Sequence, residues 1–360
     1  FHYSNDASGH SIIAGRQKRT ALGIFDRFDG AVYSKRIRNY QWSLYAGSPV
    51  VSVQNSPDFN RLFYGASFSS TLSPALSLDF YLVSQDIESV TDRQSIGSEV
   101  KYQTTNGFIF ANLDYDFFYE DLNNLSFISN YRYSENWSYN VTVDYRNNPL
   151  ISSYNAIQGH NIEEFSELEI IRNFDEEEIY QLARERTSKS SHIYFNAIQF
   201  LDSNRQLYYG LALSKLEATQ DSSATDTTPL IQANPEFEST EITLDYAVSG
   251  FFNSADFTTF GGKLGDNTNY QTLSLRSRSR LPGGIANLYF TPKIAVDLRI
   301  NKNTDVEQTI LRPALKLTYK PGKQVNLEAS FDMELSNENL PDSNDQQVSS
   351  FSLGYLYLFD

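Results

Sequence analysis

Cysteine is absent from this sequence, methionine occurs once and tryptophan twice. Without thiols there can be no disulfide framework and no thiolate metal site. Long apolar runs are missing too: none approaches the roughly 18 residues of a transmembrane helix, so any membrane-spanning reading requires strands. Positive charge is scarce, with 29 Lys and Arg against 44 Asp and Glu and a net charge of -15. Such a chain lacks the basic footprint of sequence-independent nucleic-acid binding, and no nucleic-acid partner is expected. No secretory leader precedes Phe1, so the chain reads as mature or as a fragment.

Aromatic residues are what the chain has in excess, 24 Tyr and 25 Phe in 360 residues. Their placement is clearest at the C-terminus, where Phe351, Leu353, Tyr355, Tyr357 and Phe359 share one face of an extended strand and Ser350, Ser352 and Gly354 the other. The same alternation recurs. Trp137, Tyr139, Val141, Val143 and Tyr145 oppose Ser138, Asn140, Thr142, Asp144 and Arg146, and Val325, Leu327, Ala329, Phe331, Met333 and Leu335 oppose Asn326, Glu328, Ser330, Asp332 and Glu334. Several charged groups on one face of a strand need water. Their apolar opposite face needs either a second covering sheet or lipid, and lipid suffices in a transmembrane barrel.

Strands are expected at about 10–17, 27–37, 39–48, 61–70, 75–85, 95–103, 107–118, 123–133, 137–147, 189–200, 205–217, 237–251, 255–264, 269–280, 285–300, 306–319, 324–336 and 348–359. The fold class is therefore all-β, an antiparallel up-and-down transmembrane barrel of about eighteen strands, with sixteen as the alternative because alternation blurs in the first and in 255–264. Short connections punctuated by Pro, Gly and Asn follow the even strands, and every long connection follows an odd one. In an outer-membrane barrel that parity places both termini in the periplasm.

The connection 148–188 is too long for a structureless loop. Asp175 with Glu178 three residues on forms a capping-box pattern, followed by Ile179, Leu182 and Ala183 at helical spacing, which predicts a helix at about 176–187 after a shorter turn near Phe165 and Leu168. Glu176, Glu177 and Glu178 near its start and Arg184 and Arg186 near its end suit the helix dipole. Such an insertion is expected to fold into the lumen as a plug or gate, with Arg184 and Arg186 meeting inward carboxylates such as Asp144. An outer cap is the alternative.

Charge on the inferred inner face supplies the only candidate site. Arg276, Arg278 and Arg280, with Lys293, Arg299, Arg312 and Lys316 on the next two strands, form a basic wall; Asp114, Asp116, Asp144, Asp245, Glu328 and Asp332 lie inward elsewhere. Either they line a path for a polar solute, or they pair with one another and fill a closed barrel. No catalytic residues are assigned: His2, His10, His160 and His192 lack metal spacing, and neither a Ser, His and carboxylate pattern nor a phosphate loop or cofactor motif occurs.

The run through Tyr355, Tyr357 and Phe359 resembles the assembly signal of Gram-negative outer-membrane proteins, which usually end on the aromatic itself, whereas Asp360 follows here. Ala14-Gly15-Arg16-Gln17 with Phe25-Asp26-Arg27-Phe28-Asp29-Gly30 resembles the opening strands of alginate-export-type porins. Over most of the chain, Asp144 to Leu150, Asn155 to Gly159 and Glu176 to Thr187 occur in the same order as landmarks of barrels at the C-terminus of tetratricopeptide-repeat outer-membrane proteins, to which the chain is similar. The resemblance implies lipid, lipopolysaccharide and the barrel-assembly machinery as partners. It allows for a periplasmic repeat domain upstream of Phe1, and its architectural relatives export exopolysaccharides. Three functions follow: a channel for a polar solute or polymer, a plugged barrel anchoring a periplasmic domain or envelope complex, and, with no site to support it, a barrel enzyme.

Overall fold

The computed structural model describes the chain apart from residues 6, 19–22, 24–26, 51–60, 88–89, 149, 157–174, 220–233, 323, 340–345 and 358–360, and apart from the side chains of Tyr154 and Glu176. Its strands are β1 (His2–Asn5), β2 (His10–Lys18), β3 (Arg27–Ile37), β4 (Tyr40–Pro49), β5 (Arg61–Ser73), β6 (Leu76–Ile87), β7 (Val90–Thr104), β8 (Gly107–Asp116), β9 (Asp121–Ser134) and β10 (Trp137–Asn148). Two helices, α1 (Ser153–Ala156) and α2 (Glu176–Glu185), precede β11 (Ser188–Phe200), β12 (Arg205–Leu216), β13 (Phe237–Ser249), β14 (Phe257–Asn267), β15 (Tyr270–Pro282), β16 (Leu288–Asn301), β17 (Glu307–Tyr319), β18 (Val325–Glu338) and β19 (Gln346–Tyr357). They form a 19-stranded antiparallel up-and-down sheet.

Every expected strand is present, including the two with blurred alternation, so the lower count of sixteen is wrong. The count of about eighteen holds, with one short strand more among the described residues. Strand β1 pairs with β2 from His2↔Ile13 to Asn5↔His10, and its four residues carry no apolar alternation by which to find it. Tight hairpins set the register: Ile37↔Tyr40 leaves two residues between β3 and β4, with Arg38 at φ 54, and Thr104↔Gly107 leaves two between β7 and β8. The left-handed backbone at Arg38 matches the twist of a two-residue hairpin.

The chain divides into two compact units. In the first (Phe1–Asn130, Val141–His192 and Lys215–Phe237), one face of the sheet presents exposed apolar side chains such as Trp42, Leu44, Leu62, Tyr64 and Leu82, with Trp42 57% exposed. The opposite face is packed: Phe28, Val32, Tyr45, Phe63, Tyr81 and Val83 form one buried cluster. Two of its tyrosines lie flat across glycines of the neighbouring strand. A Cβ at Gly65 would stand 2.3 Å from the Tyr45 ring, and one at Gly97 would stand 2.0 Å from that of Tyr81. The glycines let each ring reach the strand beyond, where the Tyr45 hydroxyl donates to the Leu82 carbonyl at 3.1 Å and that of Tyr81 to Asp114.

A second cluster in this unit docks the insertion. Ile151, Ala156, Ile179 and Ala183 pack with Ile87 at the end of β6 and Tyr119 in the β8–β9 turn, so the described helices rest on the tips of hairpins. Polar contacts fix them there: Asp92 accepts from the Ser153 amide at 2.9 Å and from its hydroxyl at 2.5 Å, and Asn123 accepts from the Ile151 amide at 3.2 Å.

The second unit (Tyr131–Asn140, Ile193–Ser214 and Glu238–Asp360) repeats the two-faced pattern in β13 to β19. Ile242, Leu244, Leu264, Leu273, Leu275, Leu298, Leu315 and Phe331 stand exposed on one face, with Leu275 57% exposed, while charges and hydroxyls occupy the other. Aromatics crowd its short turns: Trp137 stacks with Tyr139 at 5.8 Å, and Phe251 meets Phe260 edge-on at 5.2 Å.

The turn 250–256 carrying Phe251 and Phe252 is built on Asp256. Its carboxylate accepts from the backbone amides of Phe251 at 2.8 Å, Phe252, and Asn253 at 3.1 Å. Burial would raise this carboxyl, but the amides of Phe252, Phe251 and Asn253 outweigh it and hold it below the ordinary range. A lowered folded-state pKa means that its stabilisation is complete above the unfolded value of about 3.9 and is lost as pH falls through the folded one. Amide protection factors at Phe251 to Asn253 are therefore expected to hold at neutral pH and to fall only below about pH 4. Asp256→Asn should lower them at neutral pH and abolish the acid step, and unchanged protection in that variant would contradict the role given to the carboxylate.

Candidate functional site

The charged face of the second unit is assembled by strand register. Asp245 of β13 lies opposite Gly261 of β14, which lies opposite Arg276 of β15. A Cβ at Gly261 would stand 1.9 Å from Asp245 Oδ1. Because glycine leaves that space open, Arg276 reaches over β14 and binds Asp245 through Nη2 at 2.6 Å and Nε at 3.3 Å. Two strands on, Arg312 bridges Asp297 of β16 and Glu334 of β18, the latter at 2.6 Å, and Arg299 meets the same Asp297 at 3.7 Å. Lys316 binds Glu328 at 2.7 Å. Arg280 takes no carboxylate among the described residues but lies 3.9 Å from the centre of the Tyr289 ring, in cation–π contact. All are part-exposed pairs in which mutual screening, rather than large stabilisation, is the main effect.

Of the seven cations in the expected basic wall, five are thereby engaged. Arg278 and Lys293 remain, directly opposite one another across β15 and β16, with no carboxylate within ion-pair distance among the described residues. They line an open cleft of about 600 Å³ with Tyr208, Phe257 and Asp332. A neighbouring groove of about 480 Å³, lined by Tyr270, Thr272, Ser274 and Asp297, shares Arg276 and Ala295 with it.

The acidic residues expected on the inner face behave differently in the first unit. Asp114 and Asp116 are fully buried. Asp114 Oδ2 accepts from Arg93 at 2.6 Å as well as from Tyr81. Arg93 also donates to Ser95 at 2.7 Å and to the Gly23 carbonyl at 3.2 Å. Asp116 caps the β8–β9 turn, accepting the amides of Phe118 at 2.9 Å and Tyr119 at 3.1 Å. These two carboxylates hold strands and turns together. Asp144 is taken by Arg146 of its own strand and by Ser126 at 3.1 Å.

In the insertion, α2 begins as its capping pattern predicts, with Asp175 accepting the Glu178 amide at 2.8 Å. Glu177 and Glu178 are exposed. Arg184 and Arg186, expected to meet inward carboxylates such as Asp144, donate instead to the backbone carbonyls of Tyr119, at 2.7 Å, and Ala156. Both arginines pin the helix to neighbouring segments of chain, Arg184 to the β8–β9 hairpin tip and Arg186 to the end of α1. The turn expected near Phe165 and Leu168 lies outside the described residues, as does His160. At the C-terminus, Phe351, Leu353, Tyr355 and Tyr357 alternate along β19 and are exposed, Leu353 by 73%, while Phe359 lies outside the described residues.

Neither a family model nor a curated protein matches this sequence. Among solved structures, the chain is similar to a bacterial polysaccharide outer membrane secretin, at 10% identity and TM-score 0.36 over 90% of this chain and 100% of that one. It is also similar to OmpT, an outer membrane protein of Vibrio cholerae, at 11% identity and TM-score 0.42 over 91% of this chain and 97% of that one. Similarity this low carries no argument about what this chain does.

The chemistry of the two units must therefore be read from their own residues. Sequence reasoning missed Arg93, Asp92 and Asp297, and placed Glu334 on the polar face without counting it among the inner acids. The first two fall in what reads as a connection, 86–94, because β6 and β7 run further than their apolar alternation does; the last two share the inner parity of Lys293 and Glu328 and could have been found by extending it. Among the described residues no group of three His, Cys, Asp or Glu could hold a metal ion, and no helix is long and apolar enough to cross a membrane. His10 is held between Tyr33 at 2.6 Å and Lys35 at 2.7 Å. What the charged face can do is bind polar groups: it combines fixed ion pairs, hydroxyls, aromatic rings and two cations held side by side.

Proposed function

We propose that this chain is a bacterial outer-membrane β-barrel that passes a polar solute or polymer, with exopolysaccharide export as the leading case. The observation that carries the reading is the exposed apolar face. Leu244, Leu264, Leu273, Leu275, Leu298, Leu315, Phe331 and Leu353 stand out from consecutive strands, a contiguous patch far larger than a water-soluble monomer tolerates. Lipid is the solvent that such a face requires, and an antiparallel sheet avoids unpaired backbone in lipid only by closing on itself. Aromatics beside the short turns, such as Trp42, Trp137 and Phe251, suit a membrane interface.

In this reading lipid and lipopolysaccharide surround the barrel, the assembly machinery recognises β19, and the short turns and both termini face the periplasm, where further partners dock. The clefts along β13 to β18 favour passage of solute. The packed inner face of the first unit, with its buried Tyr45, Phe63 and Tyr81, favours a second reading, a filled barrel that anchors envelope components. A planar-bilayer record of the purified chain decides between them. Steady ohmic conductance is the expected result, and a silent but correctly inserted protein would leave the anchor.

A further inference from the structure

Among the described residues most cations on the inner face of β13 to β18 are ion-paired; Arg278, Arg280 and Lys293 are not, and of these Arg280 lies on the Tyr289 ring. Arg276 has Asp245, Arg299 has Asp297, Arg312 has Asp297 and Glu334, and Lys316 has Glu328. Arg278 and Lys293 are cross-strand neighbours of like sign, an arrangement that costs stability unless an anion sits against both. Small residues keep the space before them open: Lys293 is opposite Ala314 of β17, and Arg276 is opposite Ala295 of β16.

We propose that Arg278 and Lys293 form a binding subsite for an oxyanion, carboxylate or sulfate, carried on a sugar ring. This rests on the reading of the charged face as the solute's path, and deepens it by naming the substrate class. Arg278 offers a planar fork that takes two oxygens of one carboxylate or sulfate, and Lys293 adds a point charge beside it. Tyr208 and Phe257 line the same cleft and supply apolar faces for the ring that bears the anion. Asp332, whose carboxylate accepts from Ser330 at 3.2 Å, lies beyond Ala314 and repels a second anionic group on that side, which sets the spacing of charge along the ligand.

The groove that continues past Arg276 to Tyr270 gives the subsite length. Tyr270, Thr272, Ser274, Arg276 and Arg278 follow one another on one face of β15, so the track spans roughly 27 Å at about 3.4 Å per residue. Along it, hydroxyls and already paired charges can exchange hydrogen bonds with neutral sugar hydroxyls without attracting a second anion strongly. The ligand therefore matches an oligosaccharide in which acidic groups are spaced, rather than a dense polyanion.

Equilibrium binding to the full chain in detergent micelles tests this independently of conductance. The probes are a uronate hexasaccharide, a sulfated hexasaccharide and a neutral glucan of the same length. Both anionic probes are expected to bind, increasingly weakly as salt is raised, and the neutral glucan at least about tenfold more weakly. Arg278→Gln/Lys293→Gln should lose about tenfold in affinity for the anionic probes. Lys18→Gln/Lys320→Gln, which removes the same net charge elsewhere, should keep it. Equal binding of neutral and anionic probes, or equal loss in both variants, would overturn the subsite. Anion binding without conductance would leave the subsite standing and remove the channel, whereas conductance without anion binding would do the reverse.

Discussion

Arg93→Ala is expected to destabilise the folded chain by about 3–5 kcal/mol, because it leaves the Asp114 carboxylate buried without its countercharge. Asp114 has no exposed surface and the Arg93 side chain is only 8% exposed, so water cannot replace the lost partner. The Tyr81 hydroxyl would remain on Asp114 but carries no charge, and the Gly23 carbonyl and Ser95 would lose a donor at the same stroke. Replacing both partners by apolar groups, as in Arg93→Met/Asp114→Leu, should restore most of the loss, since removing a buried pair whole costs far less than breaking it. Urea titration of the protein refolded into lipid vesicles measures both. A single variant as stable as the parent would show that the pair lies open to water.

Deleting Asn155 to Arg186 and closing the gap with a short Gly/Ser linker should leave an assembled sheet with a severalfold higher conductance. The deletion removes Ala156, Ile179 and Ala183 from the cluster that covers Ile87 and Tyr119. Burial of Ile179 alone contributes about 1.5–3 kcal/mol, so some stability should be lost, but the strand ladder is not part of what is deleted. Docking on hairpin tips places α1 and α2 at one end of the strands, where they restrict access in the channel reading. Unchanged conductance in a folded deletion would make it an external element that binds a partner.

Strand existence was legible in this sequence because the outward residues are large and apolar and the inward ones polar, a period of two that is clear in most strands and blurred in β2 and β14. Helix α2 was legible for an equally local reason, the Asp175 and Glu178 pair. Long-range register was not. Which carboxylate meets Arg276 depends on Gly261 standing between them, and which glycine receives the Tyr81 ring depends on Gly97 facing it on the adjacent strand; neither follows from spacing along the chain. The split of the expected inner charges had the same origin. Asp114 and Asp116 share the parity of any lumen-facing residue, and only the packing of Tyr81, Arg93 and the β8–β9 turn buries them, whereas Arg278 and Lys293 have Ala314 before them and stay open.

In the proposed barrel one face of the sheet meets lipid and the other meets water, and the absence of cysteine lets that be measured directly. Single cysteines at positions 272, 274 and 278 and at 273 and 275 of β15, in protein inserted into vesicles, would be offered a charged, membrane-impermeant thiol reagent, then a fluorophore quenched by brominated lipid. Thr272, Ser274 and Arg278 positions should react with the reagent and escape lipid quenching, while Leu273 and Leu275 positions should resist the reagent and be quenched. Reagent access at Leu273 and Leu275 equal to that at their neighbours would contradict the account.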